Sequence, residues 1–148
     1  MRISDSTIES LLGREQLATA DQITSLKEQA ARLKRPLQEV VLDERVADEK
    51  TLVQAFSRYT DIPFIELDTG SIPTDVLQLL PERVARQYNA IVFKKDEEGV
   101  HHLAMEDPDD VQAINFIQKE LGTNTKIYIA TKDNILETLE LYRGDVNK

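Results

Sequence analysis

Cysteine and tryptophan are absent from this 148-residue chain. Without cysteine there is no disulfide, no thiolate zinc site and no thiol nucleophile. Glycine is scarce: the five glycines, Gly13, Gly70, Gly99, Gly122 and Gly144, never form a GxxxxGK(S/T) loop, which excludes that means of cradling a nucleotide phosphate. Only two histidines occur, His101 and His102. They adjoin in an expected strand, point to opposite faces and cannot jointly chelate a metal. Serines and threonines have no histidine base beside them, so nucleophilic catalysis finds no support. No apolar run approaches the roughly 18 to 20 residues of a membrane span, and Asp5 and Glu9 fall where a signal peptide would be apolar. Positive charge is also short, with 18 Lys and Arg against 27 Asp and Glu, a net charge of -9 that opposes binding to a nucleic-acid backbone.

What is present is a diverged repeat in the first sixty residues. An offset of 29 pairs Ile8 with Leu37, Leu11 with Val40, Leu12 with Val41 and Leu17 with Val46. The same offset pairs Ala18 with Ala47, Thr19 with Asp48, Ile23 with Leu52 and Leu26 with Ala55. Apolar falls on apolar and helix cap on helix cap. Each copy reads as a short helix, a tight connection and a longer helix.

The four helices are expected over about 5–16, from 19, from 36 and after Asp48. Ser6 and Glu9 stand at capping-box spacing, as do Thr19 and Gln22, and Pro36 suits a first helical turn. The apolar stripes are Ile8, Leu11 and Leu12; Ile23, Leu26, Ala30 and Leu33; Leu37, Val40 and Val41; and Leu52, Ala55, Phe56 and Tyr59. Beyond Asp61 the period changes. Strands are expected over 63–67, 90–95, 100–105 and 125–130, with Asp96, Glu97, Glu98 and Gly99 closing a hairpin between the second and third. Helices are expected over 73–79 and 82–88, then after Pro108 with Ala113, Ile114, Ile117 and Leu121 inward. A last one follows Thr131 with Ile135, Leu136, Leu139 and Tyr142. Glu106, Asp107, Asp109 and Asp110 lie where capping and the helix dipole favour carboxylates, without the glycine and distal glutamate of a calcium loop. The fold class is therefore α+β: an N-terminal helical region, 1–62, with a tandem helix-turn-helix repeat, packed on a two-layer α/β sandwich, 63–148, with a largely antiparallel sheet.

The stretches PLQEVVLDERVADEKTLVQAFSRYTDIPFIELD, LLPERVARQYNAIVF and LAMEDPDDVQAINFI, in that order and spacing, resemble the N-terminal domain of the type II secretion and type IV pilus assembly ATPases. The resemblance runs from about Ile8 to Gly144 and is greatest to the secretion branch, general secretory pathway protein E. It implies a non-catalytic adaptor that precedes a hexameric ATPase motor. The motor would carry the ATP and magnesium sites, and the polar tail YRGDVNK would open the linker to it. The implied partner is the cytoplasmic domain of the bitopic inner-membrane L component. The implied location is cytoplasmic, peripheral to the inner membrane through that partner and without membrane insertion, the hexamer belonging to the full-length protein.

Two site expectations follow. An isolated helix of about twelve residues is unstable in water, so the first hairpin, 1–35, is expected to be mobile and to form the docking surface through Ile8, Leu11, Leu12, Arg14, Leu17, Ile23 and Leu26. A fixed lid completing the core is the alternative. Relatives of this domain also bind cyclic di-GMP through paired motifs that open Arg-Leu-Gly and place another Gly seven residues later. The matching positions here are Thr7, Ile8, Glu9 and Gln16, then Pro36, Leu37, Gln38 and Arg45. The apolar frame is kept and the contact residues are not, so this chain is expected not to bind the dinucleotide in that way.

Overall fold

The computed structural model describes residues 3–122 and 124–144; the expected linker residues 145–148 lie outside it. The chain divides into two compact units, Met1–Asp61 and Ile62–Lys148.

The first unit contains four helices, α1 (Asp5–Arg14), α2 (Ala20–Leu33), α3 (Leu37–Asp43) and α4 (Glu49–Thr60). Their starts follow from local chemistry. The Thr19 hydroxyl accepts from the Gln22 N–H at 3.2 Å while the Gln22 side chain accepts from the Thr19 N–H at 2.8 Å, a complete capping box. Asp48 caps α4 by accepting from the Thr51 N–H at 2.7 Å. For α1 the expected box at Ser6 and Glu9 is corrected: the cap is Ser4, whose hydroxyl accepts from the Thr7 N–H at 3.3 Å. Glu9 pairs instead with Lys27 on α2 at 3.2 Å. Helix α1 packs on α2, α3 and α4, and α2 packs on α3. Ile8, Leu11, Leu12, Leu37, Val40, Val41, Leu52, Ala55 and Phe56 are buried, whereas Leu33 and Tyr59, also expected on the stripes, are 46% and 43% exposed.

The second unit contains a three-stranded sheet in the order β1 (Ala90–Lys95), β2 (His101–Met105), β3 (Thr125–Ile129). Its helices are α5 (Thr74–Leu77), α6 (Glu82–Tyr88), α7 (Val111–Leu121), α8 (Lys132–Leu139) and α9 (Leu141–Gly144). The expected hairpin joins β1 to β2 in antiparallel register, with a shift between Val92 and Lys94 that leaves Phe93 as a bulge. Its turn is tied by Asp96, whose Oδ1 accepts from the N–H groups of Glu98 and Val100, both at 3.0 Å. Helix α7 then carries the chain over to β3, which lies parallel to β2, so the sheet is mixed, with one antiparallel and one parallel pair.

The strand expected over 63–67 is reduced to a single bridge, Phe64 to Ile129. Pro63 has no N–H to extend the ladder one way. At the other end the chain leaves the sheet, and the Leu67 N–H and C=O are both bound by the Asn134 side chain of α8, at 2.7 and 3.2 Å. The core gathers Leu77, Leu80, Val84, Ile91, Val92, Leu103, Met105, Ile117, Ile135 and Leu139. Tyr142 joins it, its hydroxyl donating to the carbonyls of Leu80 at 2.8 Å and Leu77 at 3.0 Å.

Candidate functional site

The repeat in the first unit is exact at the level of its hydrogen bonds. The Glu15 N–H donates to Leu11 C=O and the Glu44 N–H to Val40 C=O; Gln16 reaches Gly13 and Arg45 reaches Leu42; Leu17 reaches Leu12 and Val46 reaches Val41. Every donor and every acceptor in these pairs is displaced by 29 positions. At the centre of each turn the backbone is left-handed, with φ of 56° at Gln16 and 57° at Arg45. Glycine adopts that conformation freely, whereas an L side chain is strained in it. The later glycine of the dinucleotide motif therefore falls on the position where this turn most favours glycine. Here both positions carry exposed, long polar side chains.

The other motif positions are occupied by bonds within the chain. The Gln38 amide oxygen accepts from the Ile3 N–H at 2.8 Å, and the Leu37 N–H donates to Asp5 Oδ1 at 3.0 Å. Pro36 stands at the start of α3 and supplies no side-chain cap. Between α1, α2 and the start of α3 lies an open cleft of about 310 Å³ with Ala30, Ala31 and Leu37 in its lining and Asp5, Glu9, Lys27, Lys34 and Arg35 around them. Its cations are largely engaged: Lys27 with Glu9, and Arg35 with Asp43 and Glu39, a pairing that holds the Arg35 guanidinium above its ordinary pKa, chiefly through the hydrogen bond to Asp43. An anionic ligand entering here would meet two carboxylates and would have to break existing ion pairs.

The expected docking residues separate into two groups. Ile8, Leu11, Leu12 and Leu26 are buried: in this conformation the apolar face of α1 packs on the other helices, and contact through these four would require the expected movement of the first hairpin. Arg14 is exposed, its guanidinium carbon 6.0 Å from the centroid of the Tyr59 ring, and Leu17 and Ile23 are half-buried. The neighbouring Glu15 and Arg58 form an ion pair. Tyr59 is exposed here, although helical periodicity places it on the inward stripe.

In the second unit, His101 and His102 stand in consecutive positions of β2. The His102 Nε2–H donates to Asp96 Oδ2 at 3.0 Å, and its Nδ1 is 2.8 Å from the Tyr128 hydroxyl. That bond is the main reason the Asp96 carboxyl is held below the ordinary carboxylate range. Asp110 caps α7 by accepting from the Ala113 N–H, and Asp107 accepts from the Asp109 N–H, with burial pushing the Asp107 carboxyl up. These carboxylates thus have local structural partners.

Two hairpins with superimposable turns, followed by a small mixed α/β unit, define a tandem-hairpin domain built around backbone turns, with no loop of the nucleotide-cradling kind in its sequence. The chain belongs to the MshEN domain family, whose model matches residues 60–146. It is 29% identical over 140 residues to the type IV pilus assembly ATPase PilB of Thermus thermophilus, covering 94% of this chain and 16% of that one. To PilB of Myxococcus xanthus it is 23% identical over 135 residues, covering 91% and 24%. The chain therefore spans a quarter or less of the length of these relatives. Among solved structures, MshE with cdg (cyclic di-GMP) is similar with a TM-score of 0.73 and 22% identity, covering 90% of this chain and 96% of that one. The N-terminal domain of XpsE is similar with a TM-score of 0.62 and 19% identity, covering 95% and 96%. These two likenesses establish the fold. Among the described residues no helix is long and apolar enough to cross a membrane.

Proposed function

We propose that this domain is the non-catalytic adaptor of a type II secretion or type IV pilus assembly ATPase, holding the motor at the cytoplasmic side of the inner membrane by binding the cytoplasmic domain of the L component. ATP and magnesium would be used by the motor, which lies outside this chain. The observation that carries the reading is the contrast within the repeat. Its turn geometry is intact, yet the positions that would meet a dinucleotide have side chains at Gln16 and Arg45 and internal bonds at Glu9 and Gln38. A frame kept without its ligand contacts fits a protein partner. The accessible candidates for contact are Arg14, Leu17, Ile23 and Tyr59, since arginine and tyrosine are frequent anchors of interfaces.

Calorimetric titration of the 148-residue protein against the L-component cytoplasmic domain and, separately, against cyclic di-GMP tests this. Heat with the protein and none with the dinucleotide is expected, and Arg14→Glu with Leu17→Asp should abolish the first while leaving the circular dichroism spectrum unchanged. The likeness to MshE with cdg favours a second reading, a cyclic di-GMP sensor. Tight dinucleotide binding without response to the L component would establish that reading and overturn the adaptor.

A further inference from the structure

One edge of the sheet is open. Asn124 C=O accepts from the His101 N–H at 2.8 Å, and the Ala130 N–H donates to Met105 C=O at 3.0 Å. Bonding alternates along a strand, so Lys126 and Tyr128 between them turn their backbone groups toward β2, whereas Thr125, Ile127 and Ile129 turn theirs outward. Ile129 finds partners there: its N–H donates to Pro63 C=O at 2.8 Å and its C=O accepts from the Ile65 N–H at 2.9 Å. The next rung needs residue 63 to donate to Ile127, and proline cannot. Among the described residues no bond reaches the outward N–H and C=O of Thr125 or Ile127. Such groups form a template for another strand.

The side chains beside this edge have a definite chemistry. Register places Lys94, His102 and Lys126 in one row across the sheet, and Lys94 and Lys126 are exposed. Asp96, one of the carboxylates beside Lys94, is already bound by His102, Glu98 and Val100. Next to Lys126 stands Tyr128, its ring 5.1 Å from that of Phe93 and 5.2 Å from the Lys126 ammonium. Thr125 and Ile127 occupy the other face, both half-buried. Lys94 and Lys95 share a surface concavity with Asp96, Glu97 and Glu98, whereas Lys126, at the edge itself, forms no ion pair among the described residues and stands beside the partly buried Ile127.

We propose that the edge at 125–127 docks a short extended segment of a partner polypeptide in which apolar residues alternate with Asp or Glu. The segment's backbone pairs with Thr125 and Ile127, its apolar side chain lies on Ile127, and its carboxylate meets Lys126. A three-residue edge binds weakly by itself, so it adds to affinity supplied by a second contact. The proposal concerns the second unit and does not depend on the adaptor assignment.

Amide hydrogen exchange on the 15N-labelled 148-residue protein tests it, with the synthetic peptide Ser-Val-Glu-Val-Glu-Val-Ser at millimolar concentration and a lysine-for-glutamate version as control. The Thr125 and Ile127 amides should slow about tenfold with the acidic peptide, while Lys126 and Tyr128, already bonded to β2, should not change. Lys126→Glu should reverse the preference between peptides by up to about fivefold per charge pair. Unchanged exchange at Thr125 and Ile127, or equal response to both peptides, overturns the proposal. So does protection that rises with protein concentration alone, which would identify a second copy as the occupant.

Discussion

At the scale of the residue, the left-handed positions carry the clearest consequence. Gln16 and Arg45 hold φ near 56°, a conformation that costs an L residue about 1–2 kcal/mol and glycine much less. Gln16→Gly is expected to raise stability to urea by up to about 1 kcal/mol, after allowing for the greater freedom of glycine in the unfolded chain. Gln16→Val should lower it. A sequence can mark these as turns but cannot reveal that a polar side chain tolerates strain there. Tyr142 makes a second case. Burial, with a smaller contribution from Glu82, pushes its hydroxyl up to about 12. The stability this represents is fully present below the ordinary tyrosine value near 10 and is lost as pH rises from there through about 12. Ultraviolet titration should show Tyr142 ionising above the ordinary tyrosine value, and Tyr142→Phe, which strips the Leu77 and Leu80 carbonyls of a donor, should cost about 1–3 kcal/mol.

At the scale of the element, caps and turns decide where helices and strands begin. Thr19→Ala removes half of a complete capping box and should cost about 1 kcal/mol in denaturant unfolding, most of it regained by Thr19→Ser. The β1–β2 hairpin rests on Asp96, whose carboxyl is held below its ordinary value first by His102 and then by the Val100 N–H. Its contribution is present above that ordinary value and fades as pH falls through the lowered one. Amide exchange at Glu98 and Val100 should therefore quicken on acidification below about pH 4 once intrinsic rates are corrected, and Asp96→Ala should abolish the pH dependence. Short apolar runs marked β1 and β2, where Ala90, Ile91 and Val92, and Leu103, Ala104 and Met105, are buried consecutively rather than in alternation. The same signal overcalled 63–67, where apolar residues are present but Pro63 cannot donate and Asn134 takes over at Leu67. The α1 stripe was legible, while its capping residue was displaced by two positions because serines stand at both 4 and 6.

At the scale of the whole molecule, the described core cluster of the second unit lies entirely within residues 62–148. That fragment is expected to retain cooperative thermal unfolding when made alone. Removal of residues 1–35 should abolish cooperative unfolding of the helical unit, since it deletes Ile8, Leu11, Leu12 and Leu26 from among the buried residues. The sequence by itself determined the 29-residue repeat, the α+β class and the family. Periodicity and caps are local properties, and repetition needs no knowledge of contacts. Only the tertiary structure decided that the α1 stripe is consumed by packing, that Arg14 and Tyr59 meet at the surface, that β3 runs parallel to β2 and that its edge stays open. An amphipathic face shows that a residue seeks cover, but what covers it depends on segments distant along the chain, and that pairing is settled only when the chain folds.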